Sequence, residues 1–452
     1  VVHGASVVHN HWAVLRWSIT ELLPNNDLAS GTLAAKSVAE PQHQPHDKDT
    51  NMKKAPQVLF LAGLAGFALA SGTAQAQTPA SPPPDAPAAP AAAPADATPP
   101  PPPPIYSIGG FDLTGHIDAA YTHLSGSGKF VSGANDRVFD FEHSAGIFHA
   151  LELTLAKAPE SGWGGTLDVI AGKDADTIAA YGTIDKNKGP ANGADHYFDV
   201  TQAYAYYASG PFNIIAGKFV TLAGAEVINT TGDTNYSRSI LFGYAIPFTH
   251  TGIRGTWKAS DQTSLILGVN QGWDAFQDPN SDKTVEVGLT FAPDKTMSFA
   301  ANYYGGKELT SNYPKSGVNG MRQLVDLVGT FNVTDAFTLV FNYDWGTQDK
   351  AAADGGDAKW QGFAGYANYQ INDAWRVSVR GEYFDDKQGY RTGVQQKWQE
   401  GTVTVGWTPM KNLELRFEGR YDKSNKDAFL RADGVTPTAS QSSYALDLVY
   451  KF

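Results

Sequence analysis

The stretch Asn412-Leu413-Glu414-Leu415-Arg416-Phe417-Glu418-Gly419-Arg420-Tyr421-Asp422-Lys423 decides the fold. Leu413, Leu415, Phe417, Gly419 and Tyr421 fall on one face, and Glu414, Arg416, Glu418, Arg420 and Asp422 on the other. A period of two is the period of a β-strand. One face is charged throughout, so the strand does not fit a soluble sandwich core. The other face is too apolar to meet water. A strand between lipid and a wet lumen satisfies both faces. Trp375 to Phe384 repeats the pattern, with Trp375, Val377, Val379 and Tyr383 opposed to Arg376, Arg380 and Glu382. Thr284 to Phe291 does so again, with Val285, Val287, Leu289 and Phe291 opposed to Glu286 and Thr290.

Working outward, segments of about ten residues with this alternation continue from Ile108 to the C-terminus. Short turns are expected at Ala259–Gln262, Ala292–Lys295, Val333–Ala336, Ile371–Ala374 and Thr408–Asn412. Longer polar loops are expected at Gly305–Gly320, Gly346–Ala358, Asp385–Lys397 and Ser424–Ser440. Short periplasmic turns and long outer loops are the usual asymmetry of outer-membrane barrels. The expected fold is therefore all-β: a transmembrane antiparallel β-barrel of about 16 strands in a Gram-negative outer membrane, with segments near Phe139 and Tyr181 ambiguous. Trp163, Trp257, Trp273, Trp345, Trp360, Trp375, Trp398 and Trp407 lie near strand ends, which suits rings at headgroup level. The chain ends Tyr444, Leu446, Leu448, Tyr450, Phe452 in alternation. Tyr450 and Phe452 resemble the terminal signature read by the barrel-assembly machinery.

Composition agrees. The 452 residues have a mean hydropathy of -0.30, too low for a helical membrane bundle. There is no Cys, which excludes disulfides and Cys-based metal or redox sites. The net charge of -12 disfavours nucleic acid as a partner.

Upstream of the barrel (residues 108 to 452), three segments are expected. Residues 52–76 read as a Sec-type signal peptide: Met52, Lys53 and Lys54, then the apolar run Val58 to Ala70, then Ala74-Gln75-Ala76. Residues 1–51 then read as upstream sequence translated through a misplaced start, with Met52 the true start. Residues 77–107 are rich in Pro and Ala and read as a stiff periplasmic linker.

Lys218 to Asp274 is the most distinctive block. It carries Gly217-Lys218-Phe219, Gly224, Glu226, Asn235-Tyr236-Ser237-Arg238-Ser239, then Phe242-Gly243-Tyr244-Ala245-Ile246-Pro247-Phe248-Thr249-His250-Thr251-Gly252, and Asn270-Gln271-Gly272-Trp273-Asp274. This block resembles the putative β-barrel porin-2 family, the OmpL-like porins. The resemblance implies an outer-membrane barrel acting as a porin and does not carry a substrate.

Within the block, a loop of roughly 28 residues separates the fifth and sixth expected strands, and loops that long are usually functional or disordered. Val220 to Pro247 is expected to fold into the barrel and narrow it. Glu226, Asp233 and Arg238 would then face His250, Arg254 and Lys258 of the next strand, giving a transverse field that selects polar solutes. The remaining lumen wall carries Arg376, Arg380, Glu382, Glu414, Arg416, Glu418 and Arg420, with signs interleaved and no charge preference evident. The expected function is passive diffusion of small hydrophilic solutes. The alternative is a non-conducting structural or adhesin-like surface-binding barrel. Expected partners are the lipid bilayer, lipopolysaccharide, the barrel-assembly machinery and small hydrophilic solutes. Porins of this size are often homotrimers, though no feature of the sequence specifies one.

Other motifs carry little. Gly126-Ser127-Gly128-Lys129 has Phe130 where a phosphate loop needs Ser or Thr, and His123 where its first Gly belongs, so it reads as an exposed loop tip. His143, His149, His196 and His250 have no nucleophile motif, so no catalytic residue and no enzyme activity is expected. Asp349, Asp354 and Asp357 lack EF-hand spacing and read as a solvated loop. No metal or cofactor is expected.

Overall fold

The computed structural model describes residues 104–130, 137–140, 144–183, 196–311 and 316–452. The expected extension, signal peptide and most of the Pro-rich linker lie outside these residues, as does His143. Among the described residues, sixteen antiparallel strands form a closed barrel. They are β1 (Phe111–Leu124), β2 (Ala145–Lys157), β3 (Gly162–Ala171), β4 (Phe198–Ser209), β5 (Phe212–Val220), β6 (Thr249–Lys258), β7 (Thr263–Asn270) and β8 (Thr284–Asp294). The second half is β9 (Met297–Ser311), β10 (Ser316–Thr334), β11 (Phe337–Gln348), β12 (Ala358–Asn372), β13 (Trp375–Asp386), β14 (Gln396–Met410), β15 (Leu413–Ser424) and β16 (Ser440–Lys451).

Each strand pairs with its sequence neighbour, and β1 pairs with β16 to close the ring, as at His116↔Lys451 and Ala120↔Asp447. The closure runs on into the last residue. Phe452 and Gly115 exchange both backbone hydrogen bonds, at 2.8 and 2.9 Å. A closed ring leaves no unpaired strand edge, which a bilayer requires. A short leading strand, Tyr106–Ile108, folds back on β1 through Gly109 and Gly110. Both have positive φ (61° and 79°), as this tight two-residue hairpin demands.

The alternation settles which face meets lipid. Val285, Val287, Leu289 and Phe291 of β8 are outward and exposed, while Glu286 between them is buried inside. In β15, Phe417 and Tyr421 point out, and Arg416, Glu418 and Arg420 point in. The short-turn rim carries outward rings, with Trp375 stacked on Trp407 (centroids 5.6 Å apart) and Phe212 on Trp257 (6.1 Å). Trp163 and Tyr207 add to the same rim. A depth-dependent penalty follows. Val379→Arg, near mid-strand on the lipid face, should destabilise the barrel by about 2–4 kcal/mol in liposome unfolding, against about 0–1 for Met410→Arg at the rim. Equal effects at both depths would contradict this orientation.

Three expectations are corrected, and one ambiguity is resolved. Trp273, Trp360 and Trp398 are not at headgroup level; they point into the barrel and are buried there. Ring position along a strand sets depth, but its parity sets the face. The loop expected at Gly305–Gly320 is mostly strand, with β9 and β10 pairing out to Ser311↔Ser316. Above the bilayer both faces of a strand meet water, so the alternation that marks strands in lipid is lost. Gly126–Phe130, expected as a loop tip, is a strand pairing with Phe429–Arg431, which also pairs with Pro437–Thr438. The ambiguous segments near Phe139 and Tyr181 are not barrel strands. Phe139 is buried against Phe242 and Phe248, and Tyr181 makes one isolated bridge to Ala275.

Candidate functional site

Between β5 and β6 runs a loop, residues 221–248, that enters the barrel interior. It contains only a 3-10 turn at Thr230–Gly232 and one π-helical turn at Leu241–Ala245. A buried segment with so little regular structure cannot satisfy its own backbone groups, so something else must. Here the barrel wall does it.

Carboxylates of the wall accept from loop N–H groups. Glu418 takes Tyr236 and Ser237 (2.8 and 3.0 Å), and Glu382 takes Ile240 and Leu241 (3.0 and 3.2 Å). Asp326 takes Gly224 (3.1 Å), and the amide oxygen of Asn342 takes Ala225 (3.2 Å). Guanidiniums of the wall donate to loop carbonyls. Arg416 reaches Thr230, Asp233 and Asn235, Arg420 reaches Arg238, Arg380 reaches Ser237, and Arg376 reaches Thr234. Bonds of this kind, with one charged partner, are the strong ones. The interleaved wall charges thus match the alternating donors and acceptors of a peptide backbone. Glu414 completes the set by pairing with Arg376 (2.7 Å).

An apolar contact accompanies the polar one. Ile228, Ile240, Leu241, Phe242, Ala245 and Ile246 of the loop cluster with Tyr304, Leu324, Val328, Trp360, Phe384 and Trp398 of the wall. Trp360 Nε1 donates to the Ala245 carbonyl at 3.0 Å. The barrel therefore has a hydrophobic core inside its lumen. Gly224 is held at φ +99°, and a Cβ there would meet Ile246 Cδ1 at 2.7 Å. Glycine is required at that crossing.

Of the six residues expected at the constriction, three lie in the loop. Glu226 bonds Arg380 of β13 at 2.8 Å and accepts from Ser239 N at 2.6 Å. Asp233 and Arg238 form an ion pair within the loop at 3.1 Å. Burial pushes the Asp233 carboxyl up to about 7, against the pull of Arg238. The Arg238 guanidinium also lies over the rings of Phe139 and Phe242.

The other three, on β6, do not face those groups. Arg254 pairs with Glu286 at 2.5 Å and donates to the Val220 carbonyl. His250 stacks on Tyr304 (4.8 Å) and contacts the Gly272 carbonyl. Lys258 is exposed at the short-turn rim beside Asp261. The loop crosses the lumen, so its acids meet the wall far away in sequence rather than the next strand.

One anchor had no sequence signal. His149 of β2 contacts Asp174 at 2.8 Å through Nδ1 and the Tyr236 hydroxyl at 2.9 Å through Nε2. The same hydroxyl bonds Thr122 at 2.9 Å. These residues are scattered through the chain, and only closure of the barrel brings them together.

The loop leans mainly on β8 to β15, touches β1 and β2 through Tyr236 and Asn229, and leaves a chamber of about 390 Å³ beside β2 to β6. Lys157, Ala158 and Asn213 line its short-turn end, and Phe242 and Phe248 its other end.

The family described as putative beta-barrel porin-2, OmpL-like, matches residues 110–452. No curated protein matches the chain. Solved structures share the fold at low identity. An anion-selective porin from Comamonas acidovorans is 12% identical with a TM-score of 0.52, covering 76% of this chain and 99% of its own. The trimer form of OmpT from Vibrio cholerae is 11% identical with a TM-score of 0.52, covering 76% and 99%. The outer-membrane channel DcaP of Acinetobacter baumannii is 14% identical with a TM-score of 0.50, covering 77% and 100%.

Proposed function

The chain belongs to the putative beta-barrel porin-2, OmpL-like, family, and from that premise we propose that it is an outer-membrane porin whose internal loop sets the passage for small hydrophilic solutes. One observation carries the reading: the loop lies across the lumen, bound mainly to the wall of β8 to β15, with a chamber left beside β2 to β6. A channel narrowed on one side discriminates by size without closing. In this reading the protein acts by diffusion rather than by catalysis.

In the same reading, residues 52–76 direct export from a start at Met52, and the Pro-rich part of residues 77–107, ahead of the leading strand, forms a periplasmic spacer. Tyr450 and Phe452 present the strand that the assembly machinery takes up. Lipid and lipopolysaccharide surround the outer face. The trimer form recorded for OmpT supports a homotrimer here.

The density of the loop's anchorage favours a second reading, a plugged barrel with a structural or surface-binding role. Single-channel recording and liposome swelling separate the two. Sugars below a size limit should enter liposomes containing the protein. Deleting Val220 to Pro247, in protein still showing the heat-modifiable mobility of a folded barrel, should raise the single-channel conductance severalfold. An unchanged conductance would count against the loop as the constriction. No sugar flux in the native protein would favour the plugged barrel.

A further inference from the structure

The chamber beside the loop carries an acidic pair of its own. Glu152 of β2 and Asp168 of β3 both line it. They sit on the inward faces of paired strands, in the diagonal register Glu152↔Ile170 and Thr154↔Asp168. Both are more than nine-tenths buried, at 2% and 4% exposed. Glu152 Oε1 accepts from the loop amide of Asn229 (2.9 Å), and Asp168 Oδ2 from Gln202 (3.2 Å). Glu152 Oε2 and Asp168 Oδ1 receive no hydrogen bond from a cation or backbone N–H, and the two carboxyls lie close enough to share a proton. Neither residue is in an ion pair among the described residues.

Two of the other charges of the chamber are matched by ion pairs. Glu226 is held by Arg380, and Arg254 by Glu286. Nearby, Lys218 is held by Asp199 at 2.8 Å. Lys157 lies at the short-turn end, its amine bonded to the Gly109 carbonyl (2.9 Å) and set over the Phe111 ring. Deeper in, the unmatched charge is acidic. Even with one proton shared, neighbouring carboxyls keep one negative charge between them. In a narrow passage with low-dielectric walls that field is focused on the permeating ion.

We propose that the passage beside the loop is selective for cations, with Glu152 and Asp168 the residues that set the preference. This rests on the porin reading above. It assigns to this chain the opposite preference to the anion-selective porin that shares its fold.

The test is the reversal potential of the full barrel in a planar bilayer under a KCl gradient. The native channel should pass K⁺ several-fold better than Cl⁻. The double variant E152Q/D168N keeps shape and hydrogen-bonding groups and should bring the permeability ratio to parity. D261N, at the exposed turn, should leave the ratio unchanged. A native channel that conducts with no preference, or prefers Cl⁻, overturns this inference and leaves the porin reading intact. A cation preference that survives in the folded double variant overturns the assignment to this pair. A protein that inserts and passes no current overturns the porin reading, and this inference with it. The native measurement needs no variant to fold.

Discussion

Replacing Arg416 with Met is expected to release the luminal loop and raise the single-channel conductance severalfold. The Arg416 side chain is fully buried between β15 and the loop. Its Nε bonds Asp447 at 2.5 Å, and its two terminal nitrogens reach four loop oxygens: the carbonyls of Thr230, Asp233 and Asn235, and the Thr230 hydroxyl. Met preserves much of the volume and removes every donor. The change leaves a buried carboxylate and several carbonyls without partners, and breaking a buried ion pair in this way costs about 3–5 kcal/mol. The barrel ladder is untouched by the substitution. The cheapest relief is for the 3-10 turn to lift away and admit water, so the penalty falls on the loop rather than on the strands. Conductance should rise while the heat-modifiable gel mobility stays that of a folded barrel. A folded variant with native conductance would show that this guanidinium does not hold the loop in the pore.

A second expected result separates a packed lumen from an empty one. Trp360→Ala should destabilise the protein by about 3–5 kcal/mol, the usual cost of removing a large buried ring. The Trp360 side chain is fully buried inside the barrel, edge-on to Trp273 (6.3 Å) and beneath the Arg391 guanidinium (5.3 Å). In an ordinary wet lumen the same truncation would cost little, because water would replace the ring. Trp375→Ala is the companion. Trp375 stacks on Trp407 at the outer rim, where the loss should be no more than about 1.5 kcal/mol. Urea unfolding of the two variants in the same lipid gives the comparison. Equal destabilisation would mean that the interior around Trp360 is not a core.

Much of the architecture was legible because lipid imposes a local rule. A strand in a bilayer shows an apolar side chain at every second position, so β8, β13 and β15 could be read from their own residues. The same rule explains where the reading failed. Beyond the bilayer, β9 and β10 continue with water on both faces, and their sequence looks like a loop. Trp360 and Trp398 sit at strand ends, as rim residues do, yet their parity turns them inward. Alternation was the better guide there than residue type.

The site was legible in outline only. The loop between β5 and β6 stood out because it is long and does not alternate. Its partners were misplaced, because Glu226 meets Arg380 across the barrel rather than Arg254 or Lys258 on the adjoining strand. The wall charges from Arg376 to Arg420 were found but not understood. Taken alone they balance and suggest no preference. Set against the loop, they are backbone ligands, which removes most of them from the solute's path.

The sequence by itself determined that this chain is a β-barrel, which face of strands such as β8, β13 and β15 meets lipid, and which segment interrupts the pattern. Those properties follow from residues one or two positions apart, responding to a solvent that is the same for every strand. Only the tertiary structure decided what fills the lumen. Closing sixteen strands brings β2 and β3 to one side of the loop and β13 and β15 to the other. Whether an inward charge bonds the loop, as Arg416 does, or bonds only the wall beside the passage, as Asp168 does, depends on that placement.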